Sequence, residues 1–165
     1  MKAKTKNIVA KAISIGMAAM MTGSMVTPTF AASYKWPLGN YRGKITRKFG
    51  KNGHVGTDLS GRGINKRKVY SIASGRVIST GFAGGSGRYV RIKNKDGKII
   101  RYAHLSKIAT KKGEIVKKGT YIGRVGSTGQ STGPHLHVDM QKKKGKGKKA
   151  KYVYVNPMNY LKQPK

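Results

Sequence analysis

From Ser33 onward, apolar residues fall in short runs that alternate with polar ones and are separated by glycines and turn residues. Alternation of period two puts every second side chain on one face of an extended strand. The pattern predicts strands at 45–49, 68–72, 76–82, 88–94, 98–104, 121–127, 135–141 and 152–155. The clearest hairpin joins Tyr89–Lys93 to Ile99–Tyr102 through Asn94-Lys95-Asp96-Gly97, because Asp-Gly between alternating strands is a strong turn signal. No long amphipathic helix is visible, and 156–161 reads as one closing helical turn. With 23 glycines and many short strands, the chain reads as all-β, a sandwich or small barrel, without repeats, a second domain or a long linker.

Two local compositions add to this pattern. Gly81 to Gly87 reads as a flexible loop, either the rim of a groove or a plain hairpin connection. The basic run Lys142 to Lys151 follows the 135–141 strand; like charges this dense repel, so it reads as a mobile, exposed loop. It either holds an anionic polymer or is only solvated.

The N-terminus carries Lys2, Lys4, Lys6 and Lys11, then an apolar run from Ala12 to about Val26, then small residues around Thr29–Ser33. This is the layout of a secretory signal peptide, assigned to 1–32, with cleavage after Ala31 or after Ser33. The run is short for a transmembrane helix, which needs ~20 apolar residues, so a retained anchor is the weaker reading. Residues 33–165 then form the working domain, of a size for one core but not two.

Charge narrows the partners. The 165-residue chain has 36 Lys plus Arg against 4 Asp plus Glu, and about +28 remains once the leader is removed. Export argues against nucleic acid, and the absence of an amphipathic basic helix argues against a membrane surface. An anionic cell-wall polymer fits best; the bland alternative is a solvated surface that aids solubility. There is no cysteine, so disulfides do not stabilise the exported chain and thiolate metal ligands are excluded.

The chemistry lies in very few residues. There are four histidines: His54, four residues before Asp58; His104, in Tyr102-Ala103-His104-Leu105; and His135 and His137, on one face of a strand with Asp139. A His-x-x-x-Asp together with a His-x-His reads as a metal site. Zinc in a hydrolase takes three protein ligands and keeps a position for water, which leaves five candidates for three places. The glycines between His54 and Asp58 favour a loop or strand bend over a helix. Spacing alone does not say which of His104, His135 and His137 is the third ligand. The remaining histidines suit proton transfer near neutral pH.

His54-x-x-x-Asp58, Tyr102–Leu105 and Gly126-Ser-Thr-Gly-Gln-Ser-Thr-Gly-Pro-His-Leu-His137 together resemble the M23 metallopeptidases, the lysostaphin-like, LytM-type peptidoglycan endopeptidases. The resemblance covers about 38–161 and includes Val116-Lys117-Lys118-Gly119, Ile122-Gly123 and Asn156-Pro157. It implies zinc held by His54, Asp58 and His137, with His104 and His135 as the catalytic pair beside the metal-bound water. It also implies a compact antiparallel two-sheet, barrel-sandwich-like domain with the site in a groove. Asp139, where relatives often carry Glu, would orient a histidine or lie on the surface as a plain acid. No pro-segment, coiled coil or wall-binding module is visible, so the basic surface is expected to serve for targeting. Non-catalytic activators of the family are a poor match, since no site position is degenerate. The expectation is a secreted or wall-located monomeric zinc endopeptidase acting on peptidoglycan stems or cross-bridges. The rival is a cationic wall-binding or antimicrobial protein without turnover.

Overall fold

The alternating runs are realised as strands, and the glycines between them as turns. The computed structural model describes residues 34–165, in which ten strands occur. They are β1 (Lys44–Arg47), β2 (Gly56–Ser60), β3 (Lys68–Tyr70), β4 (Gly75–Ala83), β5 (Gly87–Asn94), β6 (Ile99–Ile108), β7 (Ile115–Val116), β8 (Tyr121–Val125), β9 (Leu136–Lys144) and β10 (Lys151–Val155). The segment expected to be an export leader lies outside the described residues. Among the described residues, no helix is long and apolar enough to cross a membrane.

Pairing is antiparallel throughout, in the order β1-β2-β9-β6-β5-β4-β7, with β10 added to β9, and β8 joining β3 to β6. The all-β, antiparallel expectation holds. Hydrogen bonds do not mark off two sheets, because β6 runs from one set of partners to another: it pairs with β9 up to Ala103 and with β8 from Leu105.

The register decides which face is core. Val77, Ile92, Ile100 and Met140 lie opposite one another across β4, β5, β6 and β9, as do Val90, Tyr102 and Val138, and all are at most 1% exposed. Removing such a side chain from water is worth about 1.5–3 kcal/mol. The intervening residues of the same strands, among them Arg91, Arg101, His137 and Asp139, therefore share the opposite face.

Three expectations need correction. The stretch read as a loop or bend around His54 and Asp58 becomes strand at Gly56, so Asp58 sits within β2. The basic run is not one loop: β9 continues to Lys144, β10 begins at Lys151, and these two residues pair. Gly145 and Gly147, at φ +86° and +53°, supply the left-handed backbone that turns the chain between them. The glycine-rich connection is shorter than read, with β4 reaching Ala83 and β5 starting at Gly87. Gly87 has φ +59°, and a Cβ there would strike the Thr128 carbonyl, so this glycine is required by close packing. The closing turn is a 3₁₀ turn at Pro157–Asn159, with the Asn156 side chain accepting from the Met158 N–H at 3.0 Å.

Candidate functional site

β2 and β9 lie side by side with Asp58 directly opposite His137, so sheet register alone brings a carboxylate to an imidazole. His137 Nδ1 is 2.8 Å from Asp58 Oδ1. His54, from the turn that enters β2, places Nε2 3.1 Å from the same oxygen. Gly56 makes room for this cluster: a Cβ there would stand 2.6 Å from the Val138 carbonyl and 2.7 Å from the His137 ring.

These three residues offer donor atoms that all lie within 4.8 Å of one another. His54 Nε2 is buried and, despite its nearness to Asp58, lacks the geometry of a hydrogen bond. An orphaned buried nitrogen aimed at a carboxylate and a second imidazole is what a divalent ion would satisfy. Two nitrogens and an oxygen, with no thiolate, are suitable donors for one. Burial holds the His54 imidazole below its usual pKa against the pull of Asp58, which favours the neutral, ligating form. Burial would raise the Asp58 carboxyl, but the His137 hydrogen bond and the neighbouring imidazoles outweigh it and keep it ionised.

The other two histidines stand on the same side. The His104 and His135 ring centroids are 4.5 Å apart, and His104 is 6.0 Å from His137. His135 Nε2 is 4.0 Å from Asp58 Oδ1. His104 sits at the point where β6 changes partners. A bulge opposes Ala103 and His104 to Tyr89 alone, and His104 has φ +59°, rare for a residue with a Cβ. Its N–H is held by the Ser86 carbonyl at 2.8 Å. Its Nδ1 lies 2.8 Å from the Thr128 carbonyl, and His135 Nδ1 lies 2.9 Å from that of Gly133. A carbonyl only accepts, so both Nδ1 atoms carry the proton and the neutral form of each ring keeps its lone pair on Nε2. Burial also holds the His104 imidazole below its usual pKa, so it is neutral near pH 7.

Behind the cluster lies a polar chain that sequence reasoning caught only in part. Asp139 is buried at 2% exposure, so it is no surface acid, and its Oδ2 is 3.2 Å from His137 Nε2. Burial opposes charge on His137, but the carboxylates on its two nitrogens outweigh this and raise its pKa in the metal-free protein. Arg101, the cross-strand partner of Asp139, donates from Nε to Oδ2 at 2.5 Å and from Nη1 to Ser86 Oγ at 2.9 Å. Ser86, as noted, holds the His104 backbone. Arg101 therefore joins both halves of the site, and only the β6–β9 register reveals it.

All five predicted residues line one groove of about 650 Å³, together with Thr46, Arg47, Gly85 and the 130–134 loop. The glycine-rich connection does form part of its rim. Another cavity, of about 540 Å³ and lined by Trp36, Tyr41, Arg67 and Tyr70, contains no histidine or carboxylate.

Residues 52–155 match the model of peptidase family M23. The peptidoglycan DD-endopeptidase ShyA of Vibrio cholerae is 44% identical over 72 residues, covering 44% of this chain and 17% of that protein. The murein hydrolase activator NlpD of Escherichia coli is 33% identical over 140 residues, covering 83% of this chain and 33% of that one. The crystal structure of a zinc-containing peptidase from Vibrio cholerae superposes with a TM-score of 0.57 at 36% identity, over 66% of this chain and 36% of that one. The chain thus spans between about a sixth and a third of the length of these relatives. Similarity extends to an activator as well as to hydrolases, so overall likeness does not separate the two; the side chains of the groove must.

Proposed function

The chain belongs to peptidase family M23, and from that premise we propose that it is a secreted, wall-acting zinc endopeptidase that hydrolyses peptide bonds in peptidoglycan stems or cross-bridges. The observation that carries this is the convergence of His54, Asp58 and His137 beside two histidines whose Nε2 lone pairs are free. Relatives named as peptidoglycan endopeptidases support the substrate class, and a zinc-containing neighbour supports the metal.

In this reading His54 Nε2, Asp58 and His137 Nδ1 hold the ion, and His137 Nε2 donates to Asp139. Two imidazoles and a carboxylate suit zinc with an open position. When bound, zinc supplies Lewis acidity toward the scissile carbonyl and toward water. His135 and His104 do the proton work. The Nε2 of one accepts a proton from the attacking water, and that proton is then available to the leaving amine. The second imidazole orients the reacting oxygen, and Nε2–H, once formed, donates to the oxyanion. The backbone carbonyls of Thr128 and Gly133 fix both rings so that little reorganisation is needed. Export, with residues 1–32 as the leader and 33–165 as the working domain, rests on the sequence pattern, and the enzyme is expected to act as a monomer.

The test is metal analysis of the purified chain together with digestion of defined muropeptides, the fragments being identified by mass. Expected are stoichiometric zinc and hydrolysis that stops with a chelator. A chain without zinc, whose lytic action survives both the chelator and His137→Ala, would leave a charge-driven antimicrobial or binding protein instead. NlpD is named as an activator of murein hydrolases, and the presence of all five site residues here supports catalysis instead.

Two further outcomes are expected. Arg101→Gln removes the partner that keeps Asp139 aimed at His137, and zinc affinity should fall about 10- to 100-fold, measured by chelator competition. Unchanged affinity would reduce Arg101 to a structural ion pair with no part in holding the metal. Changing Lys146, Lys148 and Lys149 of the β9–β10 turn to Gln should weaken binding to purified walls most at low salt, without touching cleavage of short peptides. Equal wall binding at all salt concentrations would remove the turn as a targeting element.

A further inference from the structure

Beside the groove, on the same sheet face, lies a smaller cavity of about 280 Å³ lined by Tyr89, Arg91, Arg101, Asp139, Gln141 and Tyr154, with Ala83 and Ser86 at its edge. Its wall adjoins that of the site, since Asp139 contacts His137 and Ser86 follows Gly85 of the groove. Arg91 lies directly opposite Arg101 across β5 and β6. Like charges facing each other in a sheet are unfavourable unless something between them is negative. The Arg101 guanidinium is matched by Asp139; that of Arg91 has no partner among the described residues. Nor is there a spare acid: Asp58 belongs to the histidine cluster, Asp96 pairs with Lys98, and Glu114 accepts from Thr110 and Lys111.

We infer that this cavity is a subsite for a carboxylate-bearing residue of the peptide substrate, held by the Arg91 guanidinium with the Tyr89 and Tyr154 rings as its walls. The inference rests on the peptidase reading and names what lies next to the scissile bond. A guanidinium fork matches a carboxylate bidentately. The cavity is below the usual size of a complete ligand pocket, about 300–1,000 Å³, so it takes one residue rather than a length of polymer. Amidation would remove the negative charge that a guanidinium binds, so this pocket would distinguish a free carboxylate from its amide.

The experiment compares a cleavable stem peptide bearing the free carboxylate with the same peptide amidated, using the zinc-loaded chain. The parent should favour the acid. Arg91→Gln should raise KM for the acid roughly tenfold or more, as expected for loss of a charge-assisted contact. It should leave kcat, zinc content and KM for the amide nearly unchanged, and Arg91→Lys should fall between. A parent that does not discriminate acid from amide overturns the proposal whatever the variants do, as does an Arg91→Gln effect equal on both peptides. Calorimetric titration of an uncleavable analogue separates this from the premise. Arg91-dependent binding without any cleavage keeps the subsite and sinks the peptidase reading. Cleavage indifferent to the carboxylate and to Arg91 does the reverse. If Arg91→Gln abolishes only the binding of poly(glycerol phosphate), the pocket belongs to an anionic polymer and the carboxylate assignment falls.

Discussion

Asp58→Ala is expected to lose both the metal and hydrolysis, the largest effect of any single change in the chain. The Asp58 Oδ1 atom is 2.8 Å from His137, 3.1 Å from His54 and 4.0 Å from His135, so it is the one anion common to three imidazoles. Without it, two neutral imidazoles remain as donors, and no carboxylate in the ligand set balances the ion's charge. Losing several kcal/mol of transition-state stabilisation corresponds to a fall in kcat/KM of roughly a thousandfold or more. Metal content after gel filtration and cleavage of a fluorogenic peptide would be read together. His54→Ala should behave alike, whereas stoichiometric zinc in Asp58→Ala would remove Asp58 from the ligand set.

His104→Ala is expected to separate the two functions that Asp58→Ala removes together. His104 is held through Thr128 and Ser86, and its ring stands 4.5 Å from that of His135 while making no contact with Asp58 at ion-pair distance. The variant should keep its zinc and lose about 10²- to 10⁴-fold in kcat, the range for removal of a general acid–base group. If His104 and His135 serve one proton path, the double alanine variant should be little worse than the poorer single one. The assignment of roles must be redrawn if His104→Ala strips the metal while His137→Ala keeps it.

Much of this site was legible in the sequence because strand geometry is so regular. His135, His137 and Asp139 share a face by period alone, and the family motifs supply His54, Asp58 and His104. The path of the backbone between motifs was less visible. Gly56 to Ser60 looked like a bend because glycine weakens any strand pattern, yet the His137 ring requires glycine there. Lys142 to Lys144 looked like loop because charge masks alternation, though cross-strand pairing with β10 overrides repulsion on an exposed edge. Arg101 and Arg91 were unreadable for a different reason. Each is an ordinary basic residue in a strongly basic chain, and only register shows that Arg101 faces Asp139 while Arg91 faces Arg101 and no acid.

β9 carries the site at one end and the basic turn at the other, and these two ends differ in how much change they can absorb. A single deletion between 136 and 139 would exchange His137 and Asp139 for Leu136 and Val138, turning the chemistry into the core and the core into water. The 145–150 turn is exposed, tied to nothing but its own hairpin, and can lengthen, shorten or change sign without disturbing that alternation. In the proposed reading, the wall-binding end of β9 is therefore open to change while the histidine end is not, and altering a few turn residues would redirect the chain among walls of different charge.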